Sequence, residues 1–108
     1  AGDGNLHIYT LVNPSDLNLK QMVLDVSDKV YDLVTRLGGS ITAEHNDGFI
    51  RTPYLSKMYN PEIIAIFKQI KDTFDTARIL NPGKKVPEPD YGPGTREYMV
   101  AHIPISQP

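Results

Sequence analysis

Apolar positions are spaced along this chain in two different rhythms. From Leu19 to Leu37 they recur as Leu19, Met22, Val23, Val26, Val30, Leu33, Val34 and Leu37, one continuous helical stripe. The spacing predicts a helix over residues 18–37, started by Asp16 or Asn18 and stopped by Gly38 in the left-handed conformation. Asn60-Pro61-Glu62 predicts a second start, with Asn as cap and Pro at the first helical position. Ile63, Ile66, Phe67, Ile70 and Phe74 then give a buried stripe to about Asp75. Residues 5–12 follow the other rhythm. Leu6, Ile8, Thr10 and Val12 alternate with His7, Tyr9 and Leu11, both sets largely apolar, which predicts an inner strand. Ser40-Ile41-Thr42-Ala43 is a short β-prone piece, and Arg96 to Ile105 is β-prone enough for an edge strand.

Together these elements predict an α+β fold: a small antiparallel sheet with helices 18–37 and 61–75 on one face, ferredoxin-like. Val23, Val26, Val30, Leu33, Phe67 and Ile70 are the expected core. The compact part is expected to span residues 1–86. Six of the nine prolines lie at 82–108, so residues 87–108 are expected to form a Pro-rich extended tail without a helix.

Composition narrows the function classes. The 108 residues amount to one domain, and 40% hydrophobic with 22% charged residues is ordinary for a globular protein. A net charge of −2 argues against a general nucleic-acid binder. With no cysteine, disulfides, thiolate metal sites and a cysteine nucleophile are excluded. No apolar run reaches the roughly 18 residues of a membrane span. A cytoplasmic location is expected, at most peripheral to the inner face of a membrane. The chain opens inside a Gly-rich turn, Ala1-Gly2-Asp3-Gly4, which reads as a cut in a longer protein.

Three residues are suited to metal binding or proton transfer: His7, Glu44 and His45. Two imidazoles and a carboxylate can make a zinc-type site that leaves a position open for substrate. The spacing is not that of a helical metalloprotease, because no His-Glu-x-x-His is present. Taken alone, the spacing reads as exposed or hydrogen-bonded side chains before it reads as a metal site. Gly2-Asp3-Gly4-Asn5 precedes a predicted strand rather than a helix, so it reads as a tight turn before it reads as a phosphate cradle. Asp47-Gly48 likewise reads as a turn, and Tyr31, Tyr54 and Tyr59 as core or interface residues.

Three ordered segments carry a resemblance. Ala1-Gly2-Asp3-Gly4-Asn5-Leu6-His7, Gly38-Gly39-Ser40-Ile41-Thr42-Ala43-Glu44-His45, and Phe74-Asp75 with Ile79-Leu80-Asn81-Pro82-Gly83-Lys84 together resemble the C-terminal end of FAD-linked oxidases of the D-lactate dehydrogenase and glycolate oxidase type, flavoproteins of the vanillyl-alcohol oxidase superfamily. The resemblance covers about residues 1–86. It implies that His7 and Glu44 are ligands of a divalent metal such as zinc, that His45 is the active-site base, and that Asn5 lies beside the substrate. In that family a further His normally precedes the first segment, where it serves as another ligand. Asn46-Asp47 departs from the commoner Gly-x after the Glu-His pair, which leaves the subfamily open.

The implied reaction removes the hydroxyl proton of a small D-2-hydroxy acid, such as lactate or glycolate, while hydride leaves C2 for the flavin. A cation on the carboxylate and hydroxyl would steady the developing alkoxide. FAD itself is expected on a domain N-terminal to these residues. The partners expected are therefore the hydroxy acid and the flavin domain of the same polypeptide, with a second copy of the chain as a further candidate. The isolated chain is expected to be inactive. Adjacent strand residues point to opposite faces, so Glu44 and His45 can share a site only if the chain bends there, which Asn-Asp-Gly permits. The rival reading is a small ferredoxin-like binding, regulatory or dimerisation module without catalysis, which needs no Glu-His pair at this position.

Overall fold

The computed structural model describes residues 4–89 and 92–103; Ala1–Asp3 of the Gly-rich turn and the end of the β-prone tail segment lie outside that range. The element order is α1 (Leu19–Arg36), a short α2 (Gly48–Arg51) running into a 3-10 helix (Thr52–Lys57), α3 (Pro61–Phe74) and α4 (Arg96–Ala101). Both long helices fall where the apolar spacing puts them. The Asn60 side chain caps α3 by accepting from the Ile63 N–H at 3.0 Å, with Pro61 at the first helical position. Past α1, Gly38 takes the left-handed conformation with φ +77°. Asn18 stands at the start of α1 without a side-chain cap; Asp16 instead accepts from the Asn18 N–H at 2.8 Å.

The expected antiparallel sheet is absent: no strand is present among the described residues, so neither the α+β fold nor the ferredoxin-like layout holds. The physical reason lies in the partners. A strand needs a neighbour for its backbone groups, and even a two-stranded ribbon is marginal in water. Residues 5–12 find none; Leu6, Ile8, Tyr9 and Leu11 are exposed, Leu11 to 97%. Residues 41–44 run into a turn within a few positions. The tail segment is helical instead. Thr95 caps α4 by accepting from the Tyr98 N–H, and within Arg96–Ala101 only Val100 is β-branched. The tail is therefore not helix-free.

The core meets α1 along an edge of the stripe and beyond it, although Leu19, the first stripe residue, is itself buried. Leu24 is buried at 7% exposure and clusters with Ile41, Tyr54 and Met99, flanked by half-buried Tyr31, Val34, Met58, Val100 and Ile103. Leu24, Tyr31 and Val34 mark the packed face of α1. Of the expected core, Val23, Val26, Val30 and Phe67 are only half-buried, whereas Leu33 and Ile70 are exposed. On α3, Ile63, Ile66 and Phe74 are exposed as well.

Tyr54 is 2% exposed and meets the Tyr31 ring edge-on at 4.8 Å between centroids. Burial pushes its hydroxyl pKa up, so it stays a neutral acceptor for Arg96, which donates to it at 2.9 Å. The same guanidinium donates to both oxygens of Asp28 on α1, at 3.2 and 2.7 Å. Arg96 and Met99 together fasten α4 to α1 and the 3-10 helix. The preceding turn fits closely too: a Cβ on Gly83, at φ +73°, would stand 2.2 Å from Pro93.

Candidate active site

Glu44 and His45 lie in a turn, and the next residue, Asn46, adopts φ +57°. That left-handed residue supplies the bend the Glu-His pair needs to face one site. Buried residues anchor the segment on both sides. Ile41 belongs to the core, and its N–H donates to Met58 Sδ at 3.3 Å. Asp47, 1% exposed, pairs with Lys85 Nζ; the contact is a charge pairing without hydrogen-bond geometry. Thr52 completes this second anchor by donating to the Gly48 carbonyl and accepting from the Lys85 N–H at 2.9 Å.

The irregular segment 5–12 runs past this turn closely enough to bring His7 to it. His7 Nε2 donates to Glu44 Oε1 at 2.7 Å, and His45 Nε2 lies 3.3 Å from the same oxygen. The two imidazoles meet edge-on, 5.4 Å between centroids. One donor atom from each of the three residues lies within 4.8 Å of the others. The three side chains predicted from sequence thus converge, but through side-chain contact between irregular segments and not within the expected sheet.

Two imidazole nitrogens and a carboxylate oxygen form a borderline donor set suited to zinc and similar divalent cations. Zinc–ligand bonds of about 2.0–2.2 Å imply donor separations of roughly 3.3 Å in a tetrahedron, so the present spacing needs only small side-chain movements. The donors fit a divalent metal. They do not amount to an FAD site: Gly4 and Asn5 run into a non-helical segment, so the helix N-terminus that commonly holds phosphates is lacking there.

The cluster opens into a cleft of about 680 Å³. Asn5 lines it, half-buried, as do Val26, Val30 and Val34 of α1. The apolar stripe read as core thus partly walls the site. Of the three tyrosines, only Tyr31 reaches the cleft; Tyr54 is core, and Tyr59 packs edge-on against Phe67 at 5.2 Å. Sequence reading missed Arg51, which also lines the cleft, and the Asp47–Lys85 anchor. Arg51 had a local signal, since it follows Asp47 by one helical turn. The partnership with Lys85 had none.

The remaining motif has a structural role. Asp75, at the end of α3, accepts from the N–H groups of Ile79 and Leu80 at 3.0 and 2.9 Å and pairs with Lys71. The Lys71 hydrogen bond, against the opposing effect of desolvation, holds its carboxyl below the usual range. No described helix is long and apolar enough to cross a membrane.

Comparison with known proteins agrees with the order of these motifs. Residues 1–85 match the family described as FAD linked oxidases, C-terminal domain. The D-lactate dehydrogenase of Anaerostipes hadrus is 44% identical over 85 residues, covering 78% of this chain and 18% of that protein. Glycolate oxidase subunit GlcD of Bacillus subtilis is 37% identical over 84 residues, with coverage of 78% and 18%. GlcD of Escherichia coli K12 is 32% identical over 87 residues, with 81% and 17%. The chain thus spans less than a fifth of the length of these relatives. No solved structure matches it significantly. On the match over residues 1–85, the chain belongs to the family of FAD linked oxidases, C-terminal domain.

Proposed function

We propose that this chain is the substrate-side, C-terminal part of an FAD-dependent dehydrogenase or oxidase acting on a small D-2-hydroxy acid of the lactate or glycolate type. The observation that carries the reading is the convergence of His7, Glu44 and His45 at an open cleft. It is supported by relatives named D-lactate dehydrogenase and glycolate oxidase subunit.

Oxidation of a 2-hydroxy acid needs a base for the hydroxyl proton and an acceptor for the hydride on C2. His45 is the base, with its ring at the open side of the cluster, 67% exposed in the side chain. An imidazole is a suitable proton acceptor for this step. Glu44 Oε1, 3.3 Å away, stabilises the imidazolium that forms. His7 and Glu44 would hold a divalent metal, and Asn5 offers an amide to the substrate. When bound, FAD supplies the two-electron acceptor and the metal supplies Lewis acidity toward the substrate oxygens. The valines of α1 make one wall of the cleft apolar.

The reading is tested in the full-length flavoprotein under anaerobic conditions. A D-2-hydroxy acid should bleach the oxidised flavin band. His7→Ala or Glu44→Ala should slow the bleaching, and added divalent metal should restore part of the rate. Absence of bleaching with every 2-hydroxy acid tried would end the proposal.

A further inference from the structure

The cleft has one feature that the three-residue cluster does not use. Among the described residues lining it, Arg51 is the single lysine or arginine. Its position is set from both ends. The Arg51 N–H closes the first turn of α2 on the Asp47 carbonyl at 2.9 Å, and Asp47 is the buried anchor. The guanidinium then folds back, and its NH1 donates to the Asn46 carbonyl at 3.1 Å, one residue beyond His45. The fork is thus held at the edge of the Glu-His turn.

Among the described residues its charge has no carboxylate counterpart. Among the described residues Arg51 makes no ion pair, while Arg78 and Arg96 each do. Glu44 is the single carboxylate among the described residues lining the cleft, and both histidines already engage it. The Nε of Arg51 is buried and has no acceptor. A guanidinium offers five donors in a planar fork, and only one of them is used here. The matching ligand is a planar, two-oxygen anion, bound by two parallel charge-assisted hydrogen bonds.

We infer that Arg51 binds the carboxylate of the substrate and so selects hydroxy acids over neutral alcohols at this cleft. The inference rests on the 2-hydroxy-acid reading and adds the group that recognises the acid. The hydroxyl of the substrate then faces His45, one residue from the carbonyl that orients the fork. Arg51 therefore belongs to binding and specificity, and proton removal stays with His45.

The test uses the full-length flavoprotein with D-lactate, the neutral analogue lactamide, and oxalate as a non-reacting dicarboxylate. For Arg51→Gln, KM for D-lactate and the oxalate dissociation constant should both rise by roughly 10- to 100-fold. The limiting rate of flavin reduction should change by less than about 3-fold, as expected when ground-state and transition-state binding fall together. Preference for lactate over lactamide should shrink by a similar factor, and added guanidinium ion should recover part of the oxalate affinity. Arg51→Lys keeps the charge without the fork. It should give an intermediate loss, and it serves as the test if Arg51→Gln does not fold. Unchanged KM and oxalate affinity in these variants would overturn the inference while leaving the hydroxy-acid reading intact. A fall in limiting rate with unchanged oxalate binding would also overturn it, since that would mark a prop for the Asn46 turn. Wild-type protein whose flavin no 2-hydroxy acid reduces would remove both readings together.

Discussion

Met99 lies beyond the residues matched by the family, yet it is 6% exposed and packs with Leu24, Ile41 and Tyr54. Met99→Ala removes a buried thioether chain and leaves a cavity between α4 and α1. Substitutions of this kind cost about 2–5 kcal/mol. The low end applies here, because the neighbouring Val100 and Ile103 are only half-buried and can relax inward, and because alanine slightly favours the α4 helix. About 2–3 kcal/mol is then expected from a total of roughly 5–15 kcal/mol. The corresponding fall in Tm is on the order of 10–20 °C. Urea unfolding followed by far-UV circular dichroism and tyrosine fluorescence measures it, since the chain has six tyrosines and no tryptophan. Leu11→Ala, at a site 97% exposed, is the control and should stay within about 0.5 kcal/mol of wild type. If Met99→Ala matched that control, α4 would not rest on the core and the account of the tail would fail.

The choice of core face has its own check: Leu24→Ala should cost about 2–5 kcal/mol, while Leu33→Ala, at a site 45% exposed, should cost clearly less, and the reverse order in denaturant melts would restore the sequence-based stripe. Acid sensitivity should come from Asp72 and Asp75. Their carboxyls are held low chiefly by Lys68 and Lys71 respectively. A depressed folded pKa gives stability that is fully present above the unfolded value of about 3.9 and is lost as pH falls through the folded one. Unfolding midpoints between pH 6 and 2 should therefore drop steeply below about pH 4 in wild type and less steeply in Asp75→Asn. Equal slopes would refute the assignment.

The helices were legible because their signals are local. Asn60-Pro61 and Gly38 specify ends by themselves, and repeated apolar residues specify a helical period. Which face of α1 is covered is a different kind of fact. Leu24 is buried because Ile41, Tyr54 and Met99 come to it from distant positions, and the stripe residues Val26 and Val30 are equally apolar while bordering a cleft. The strand expectation failed for the same reason: alternation in residues 5–12 describes one segment, and a sheet needs two or more. Leu6, Ile8 and Leu11 remain the side chains of a strand in want of neighbours. Likewise, Arg96 to Ile105 is rich in β-formers, but the Thr95 cap decides its start as a helix.

The site was legible further than the fold. His7, Glu44 and His45 were singled out by their chemistry and by the order of the motifs, and they meet in space. Their route to one another was not legible, because it depends on the left-handed Asn46 and on anchors at Ile41 and at Asp47 with Lys85. A charge pair between positions so far apart in sequence leaves no periodic trace. Arg51 escaped notice because the cleft it lines forms only in the folded chain.

The most direct test of the central claim is single-turnover flavin reduction in the full-length protein carrying His45→Ala. Wild type mixed anaerobically with saturating D-lactate or glycolate should lose its oxidised flavin absorbance in one fast phase. His45→Ala should bind substrate and reduce the flavin at least roughly 10²- to 10⁴-fold more slowly, the loss expected for a missing general base. Reduction at the wild-type rate in the variant, with flavin fully bound, would contradict the account.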